Sequence, residues 1–150
     1  MRLISDDEIH RRFKEGVTAY CRGDYRTAFR EFKALAEQGD ASAQYNIGLM
    51  YANRQAVLKD YRKAAKWYHK ASVQGEASAQ LNLGAMYSKG RGVPSNCRLA
   101  HLWYTVSAAQ GNNMAARNLE IVEKRMTPAQ VAKARLMAAK WTPKKARSTK

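Results

Sequence analysis

The sequence is poor in the residues that build disulfide frameworks, β-sheets and membrane spans. It contains two Cys and three Pro in 150 residues, and Val and Ile are also few, so little is available for a sheet. No stretch approaches the roughly 18 consecutive apolar residues that a transmembrane helix needs. Cys21 and Cys97 lie far apart and match no metal-ligand or redox spacing. These absences favour an all-helical domain with free thiols.

Acidic residues are scarce relative to basic ones. The 12 Asp and Glu stand against 27 Lys and Arg, which gives a net charge of +15. The surplus is concentrated towards the C-terminal end, because residues 124–150 carry nine bases and no acid, whereas acids and bases balance over residues 1–40. Such a field attracts anionic partners, which include acidic proteins, nucleic acid and anionic envelope polymers.

The first residues also lack the apolar core of a secretory signal. Acids stand there instead, at Asp6, Asp7 and Glu8. We therefore expect a cytoplasmic protein if Met1 is the natural start. The alternative is a periplasmic or exported protein whose signal peptide has been removed.

Alanine is abundant, with 25 residues, and much of it recurs at a fixed spacing. Gln-Gly occurs at 38–39, 74–75 and 110–111, a constant step of 36 residues. Chance does not supply a period that so many other positions share. Those positions are Ala28/Ala64/Ala100, Phe32/Tyr68/Tyr104, Ala43/Ala79/Ala115, Asn46/Asn82/Asn118 and Ile47/Leu83/Leu119, together with Trp67/Trp103, Gly48/Gly84, Met50/Met86 and Tyr51/Tyr87.

Each period divides into two segments with helical spacing. A loop containing Gly and Pro, such as residues 88–96, closes the first helix. The Gln-Gly pair ends the second, since glycine adopts the left-handed conformation that terminates helices. A helix pair of this size cannot bury its apolar face alone, so stacked pairs form the core. The apolar faces hold Ala43, Ile47, Met50 and Tyr51 in the first segment and Ala64, Tyr68 and Ala71 in the second.

Several of these segments resemble Sel-1-like repeats, which are relatives of tetratricopeptide repeats. The resemblance rests on Ala-x-Ala-Gln-x-Asn-(Leu/Ile)-Gly-x-Met-Tyr at 41–51 and 77–87, on Lys-Ala-Ala-x-Trp-Tyr-x-Lys-Ala at 63–71, and on Gly-x-Gly-Val at 90–93. It implies a right-handed α/α superhelical solenoid of about four helix-pair repeats with a C-terminal capping helix. It also implies a noncatalytic adaptor whose first helices line a concave, partner-binding surface.

The resemblance also divides the chain. A tetratricopeptide-like first repeat covers about residues 5–38, Sel-1-like repeats cover about 39–75 and 76–111, and a last helix with a capping helix covers about 112–140, all within a single domain at residues 1–140. Residues 141–150 are expected to form a disordered basic tail. Two departures stand out. The loop at 52–59 lacks both glycines of the family pattern, and Glu120 and Glu123 replace the Gly and Tyr of earlier repeats, which predicts a different neighbour for that helix.

The candidate partner-binding residues lie on the first helices. Asn46, Asn82 and Asn118 form a ladder whose carboxamides can both donate to and accept from a peptide backbone. They are equally suited to bonds between neighbouring helices, and both interpretations stay open. Around the ladder, an apolar strip beside polar groups suits a peptide or a partner helix. The full candidate set is Tyr45, Asn46, Leu49, Leu81, Asn82, Met114, Arg117 and Asn118.

A second set of residues is basic and lies outside the first helices. Arg62, Lys66 and Lys70 are spaced to share one face of a second helix, and Lys144 and Lys145 belong to the tail. Such a face is usually only solvated. Like charges four residues apart weaken a helix slightly, so their presence needs another reason. The functional interpretation is that these residues steer anions. The resulting alternative function is a polyanion-binding module that contacts nucleic acid or an anionic envelope polymer.

No residue constellation for catalysis or metal binding is present. His10, His69 and His101 stand apart, with no carboxylate or cysteine at ligand spacing. No nucleophile, base and acid can be assembled from the repeats. We therefore expect no enzyme activity, no cofactor and no metal, and a monomer that binds an acidic protein or peptide, with nucleic acid bound only non-specifically.

Overall fold

A computed structural model of the chain describes residues 3–144, which form eight helices and no strand. The all-α prediction is confirmed. None of these helices is long and apolar enough to cross a bilayer. The helices are α1 (Asp6–Cys21), α2 (Tyr25–Glu37), α3 (Ala41–Ala52), α4 (Tyr61–Val73), α5 (Ala77–Lys89), α6 (Cys97–Ala109), α7 (Asn113–Glu123) and α8 (Pro128–Ala139).

The helices stack as repeated pairs. α1 packs on α2, α3 on α4 and α5 on α6, and each second helix also packs against the first helix of the next pair. α7 follows this order by packing on α6, but α8 lies mainly against α6 as well instead of pairing with α7. α8 is therefore the capping helix expected from the sequence. On α7, which packs on α6 as the order of the repeats requires, Glu120 stands exposed where the earlier repeats have a buried glycine, so this side of α7 does not meet the different neighbour that the sequence predicted.

An aromatic ring seated on a glycine joins the two helices of each pair. A Cβ placed on Gly48 would lie 2.6 Å from the ring of Tyr68, and one on Gly84 would lie 2.8 Å from the ring of Tyr104. Phe32 occupies the same place against Gly16, at 2.7 Å. The helices approach this closely only because the glycines have no side chain.

Buried glutamines join successive pairs. The Gln44 and Gln80 side chains are almost fully buried, and their amide nitrogens donate to the Ala36 and Ser72 carbonyl oxygens. Their own oxygens accept from Gln74 and Gln110, each at 2.8 Å. The sequence pattern indicated only that the Gln-Gly pairs end helices. In the structure, the glutamines of two of these pairs also donate hydrogen bonds to the buried glutamines. Each buried amide is satisfied on both sides.

Six of the eight helix starts repeat with the same period. Each of the eight helices has an N-cap side chain that accepts a hydrogen bond from a first-turn amide. At the last helix, Thr127 and Gln130 form a capping box. The N-caps are Ser5, Asp24, Asp40, Asp60, Glu76, Asn96, Asn112 and Thr127.

The loop after α3 keeps the repeat conformation without its glycines. Arg54 and Ala56 adopt φ values of 57° and 67°, close to the 68° and 72° of Gly90 and Gly92 at the equivalent positions. The backbone hydrogen bonds match too, because the amide of Gln55 donates to Met50 and that of Arg91 donates to Met86. The loop is thus held in a left-handed conformation that side chains disfavour.

The C-terminal residues are tied to the helices. The Nε2 atom of buried His101 lies 2.9 Å from the carboxylate of Glu123, which also contacts Arg135 on α8. Trp141 then makes an edge contact with Trp103, with ring centroids 5.9 Å apart. Trp141, the first residue of the predicted tail, therefore has an aromatic partner on α6. Residues 145–150 of that tail lie outside the described residues.

The two left-handed loop residues lead to a prediction with a clear sign. Ala56→Gly should raise the free energy of unfolding by about 0.5–1 kcal/mol, because glycine adopts this φ without steric cost. Urea unfolding measures the change. The control is Ala116→Gly at an exposed position of α7, which should lower the free energy of unfolding by roughly 0.5–1 kcal/mol. An Ala56→Gly variant no more stable than the wild type would contradict the assigned loop conformation.

Candidate binding site

A cavity of about 230 Å³ opens between α3 and α5, above α4. We call it the α3–α5 cavity. Its walls combine apolar side chains, two carboxamides and two basic groups, and none of the residues lining it is acidic. Two of the predicted partner-binding residues, Leu49 and Asn82, line it. The complete lining is Leu49, Ala52, Asn53, Tyr61, Tyr68, Asn82, Ala85, Met86, Lys89 and Arg91.

Two tyrosines, Tyr61 and Tyr68, line this cavity, and Tyr45 lies next to Tyr68 without being part of the lining. Tyr68 is almost fully buried, and the Tyr45 ring lies beside it, with centroids 6.0 Å apart. Burial raises the pKa of Tyr68, and the adjacent Asn82 amide offsets part of the rise. Burial and then the Glu76 charge raise the pKa of Tyr45, again opposed by Asn82. Asn82 thus contributes to packing between helices and also faces the cavity.

The rim at the start of α4 carries a cluster of cations that the sequence analysis did not single out. The Lys59 Nζ lies 4.9 Å from the centre of the Tyr61 ring, and the Arg91 guanidinium carbon lies 5.5 Å from it. Lys59 and then Arg91 lower the pKa of Tyr61 below its usual value. The sequence offered one indication of this rim, because Arg91 is the variable residue of the Gly-x-Gly loop at 90–92.

The other predicted partner-binding residues are not gathered at this cavity. Leu81 packs inwards against the cluster around Tyr104. Asn118 lies near the Tyr104 hydroxyl, where its amide offsets part of the rise that burial causes in the pKa of that tyrosine. Met114 is 60% exposed on α7, and Arg117 is exposed beside it, while Asn46 is half-buried on α3. The candidate set is therefore dispersed: Leu49 and Asn82 line the α3–α5 cavity, Met114 and Arg117 are exposed on α7, and the others lie elsewhere.

The predicted anion-steering residues of α4 share one surface. Arg62, Lys66 and Lys70 are all exposed. Two hollows of about 380 and 390 Å³ lie along this face, and both are bordered by Lys66 and His69. Lys70 lies over the Trp67 ring, with its Nζ 4.4 Å from the centroid. We call Arg62, Lys66, Lys70 and Lys144 the α4 basic face.

The end of the described chain joins this basic face. The backbone amide of Lys144 donates to the Val73 carbonyl oxygen at 2.6 Å. Partial burial, followed by the charge of Lys144, lowers the pKa of His69. Two groups of cations that are distant in sequence, on α4 and at the start of the tail, are therefore neighbours. Lys145, the remaining predicted anion-steering residue, lies outside the described residues.

The histidines and cysteines play no shared role within residues 3–144. His101 is occupied by Glu123, and His69 makes an edge contact with Trp103 at 6.1 Å. In this part of the chain, no three His, Cys, Asp or Glu side chains gather in a way that could hold a metal ion. Cys21 and Cys97 are free thiols.

Comparison with known proteins identifies related repeats. The family model described as Sel1 repeat matches residues 41–76 and 77–112. A Sel1 repeat protein from Oxalobacter formigenes is 36% identical, with a TM-score of 0.69, over 77% of this chain and 90% of that one. A protective antigen of uropathogenic Escherichia coli strains that displays an SLR fold is 29% identical, with a TM-score of 0.83, over 89% of this chain. This chain spans 29% of that antigen's length. No curated protein matches the chain.

The position of Lys144 can be tested through the titration of His69. Lys144→Gln should raise the pKa of His69, because a nearby positive charge disfavours the imidazolium form. Burial remains, so the pKa should stay below its ordinary value. NMR titration of the ring measures the shift, and Lys140→Gln, at the exposed residue that follows α8, is the matched control. Equal pKa values in the Lys144→Gln variant and the wild type would place Lys144 away from α4.

Proposed function

Because the chain belongs to the Sel1 repeat family, whose members are generally scaffolds for protein interactions, we propose that it is a noncatalytic adaptor. It holds a protein or peptide partner on the surface formed by its first helices. The finding that carries this proposal is the α3–α5 cavity, which combines apolar walls with polar groups that can orient a ligand.

The size and lining of the cavity favour a single anchoring side chain. A volume of about 230 Å³ is below the range of about 300–1,000 Å³ that is usual for small-molecule sites. Leu49, Ala52 and Ala85 supply the apolar contact. Asn53 and Asn82 can donate to and accept from the backbone of the same peptide. The partner therefore presents one apolar residue within an exposed segment.

The charge of the protein favours an acidic partner. A net charge of +15 raises the rate at which anionic molecules arrive, and the effect weakens as salt screens it. The cavity itself has basic groups at its rim and no acidic lining residue. An acidic segment is thus attracted over a long range and is not repelled on arrival.

The adaptor function can be tested with displayed random heptapeptides selected on the wild-type protein. Ala52→Arg places a long side chain in the cavity and should weaken the selected peptides at least tenfold, which corresponds to about 1.4 kcal/mol. Fluorescence anisotropy of labelled synthetic peptides measures the affinity. The control is Ala132→Arg at an exposed position of α8. It adds the same charge away from the cavity and should leave the affinity of the peptides unchanged. Peptides that bind both variants equally would argue against this site.

The second candidate function, polyanion binding, is favoured by the position of Lys144. Its amide is bonded to Val73 and its charge lowers the pKa of His69, so the start of the tail adds a cation beside the α4 residue His69. No described carboxylate forms an ion pair with the cations of the α4 basic face. A chain of phosphates can neutralise several of them at once.

Salt dependence distinguishes this function from the adaptor function. If four cations contact phosphates, binding of a labelled oligothymidylate should fall about 50-fold between 50 and 200 mM salt. The variant Lys66→Gln/Lys70→Gln should reduce the slope of log affinity against log salt by roughly 1.4. Lys124→Gln/Lys133→Gln, which removes two charges at α7 and α8, is the control. A flat salt response rules the function out.

A further inference from the structure

The cations around the α3–α5 cavity have no carboxylate available within the fold. Residues 41–119 contain two acids, Asp60 and Glu76, and both are used as helix caps. Asp60 accepts from the Lys63 amide at 3.0 Å and Glu76 from the Ser78 amide at 3.3 Å. Among the described residues, Lys59, Lys89 and Arg91 form no ion pair. Several like charges are therefore gathered at one end of a cavity without internal compensation.

Arg91 is held at this rim by the backbone of its loop. A Cβ on Gly92 would lie 2.2 Å from the Tyr61 carbonyl oxygen, so the loop rests directly on the first turn of α4. The Arg91 amide donates to Met86 at 3.0 Å, which ties the loop to α5 as well. The guanidinium is thus positioned next to the Tyr61 ring before any partner arrives. Its N–H donors match the geometry of a carboxylate.

The basic rim belongs to this cavity and is not a general property of the repeat. One period earlier, Gln55 stands at the position of Arg91 and Asn53 at that of Lys89. Gln55 is neutral and already occupied, because its amide oxygen accepts from the Tyr20 hydroxyl at 3.0 Å. The fold therefore tolerates uncharged residues at both positions, and it does not require a cation at either.

We propose that Lys89 and Arg91 bind an Asp or Glu of the partner that lies next to the apolar residue received by the α3–α5 cavity. The two residues line the cavity together with Leu49 and Ala85, so one short peptide can reach both parts. This inference rests on the proposed adaptor function and specifies its partner. Lys89 and Arg91, and not the α4 basic face, distinguish an acidic segment from a neutral one.

The test uses the heptapeptides selected on the wild-type protein, each made with its acidic residue and with the matching amide. We expect the selected peptides to contain Asp or Glu beside an apolar residue, and replacement by Asn or Gln to weaken binding about tenfold. Lys89→Gln/Arg91→Gln should weaken the acidic peptide to the level of the amide peptide. A lysine-containing peptide should in turn bind better to Lys89→Glu/Arg91→Glu than to the wild type.

A charge-matched variant separates local recognition from the general field of the protein. Lys66→Glu/Lys70→Glu changes the net charge by the same amount as Lys89→Glu/Arg91→Glu and should leave the preference for the acidic peptide intact. Equal losses in both variants would overturn the proposal. Peptides that lose affinity with Ala52→Arg but bind equally well in their acidic and amide forms would also overturn the proposal. That result would leave the adaptor function supported. Peptides indifferent to Ala52→Arg would argue against the α3–α5 cavity as the site of the adaptor function.

Discussion

The contact between an aromatic ring and a glycine of the paired helix determines the rest of the architecture. Phe32, Tyr68 and Tyr104 each occupy the place where a glycine side chain would begin. This close approach lets alanines on both helices fill the interface, so a chain with few large aliphatic residues still closes its core. At α7 the glycine becomes Glu120, no ring can sit there, and the next helix packs on α6 instead. The same contact therefore explains where the pairs repeat and where they stop.

Periodicity predicted the helices and their pairing because the repeated positions accept only one residue type or a few similar ones, as at Phe32, Tyr68 and Tyr104. It predicted less where several types satisfy the same geometry. Arg54 and Ala56 adopt the left-handed backbone of the glycine loop, and a search for glycine cannot find them. The contact between Trp141 and Trp103 depends on a single pair of residues and has no periodic signal. The position of the capping helix on α6 and the start of the tail required coordinates for this reason.

The candidate site was predicted in part. Asn82 was identified because it recurs with the period, and Leu49 because the resemblance to Sel-1-like repeats places its first-helix position on the inner surface; both line the α3–α5 cavity. Tyr61, Lys89 and Arg91 were not identified, because they come from three different segments. Lys89 ends α5, Arg91 lies in the loop after α5, and Tyr61 begins α4. A helical pattern places residues on faces but does not show which loop reaches which helix. Gly92 resting on the Tyr61 carbonyl supplies that information here.

The scarcity of acids connects the fold with the proposed binding chemistry. Between residues 41 and 119 both carboxylates are used to start helices, a role in which they stabilise first-turn amides and the positive end of the helix dipole. A carboxylate bound in this way does not form an ion pair with a distant lysine. The cations of α4 and of the cavity rim therefore keep their charge exposed to other molecules. Since the two sets differ in shape, one a solvated helix face and one the edge of an apolar cavity, they are suited to different anions.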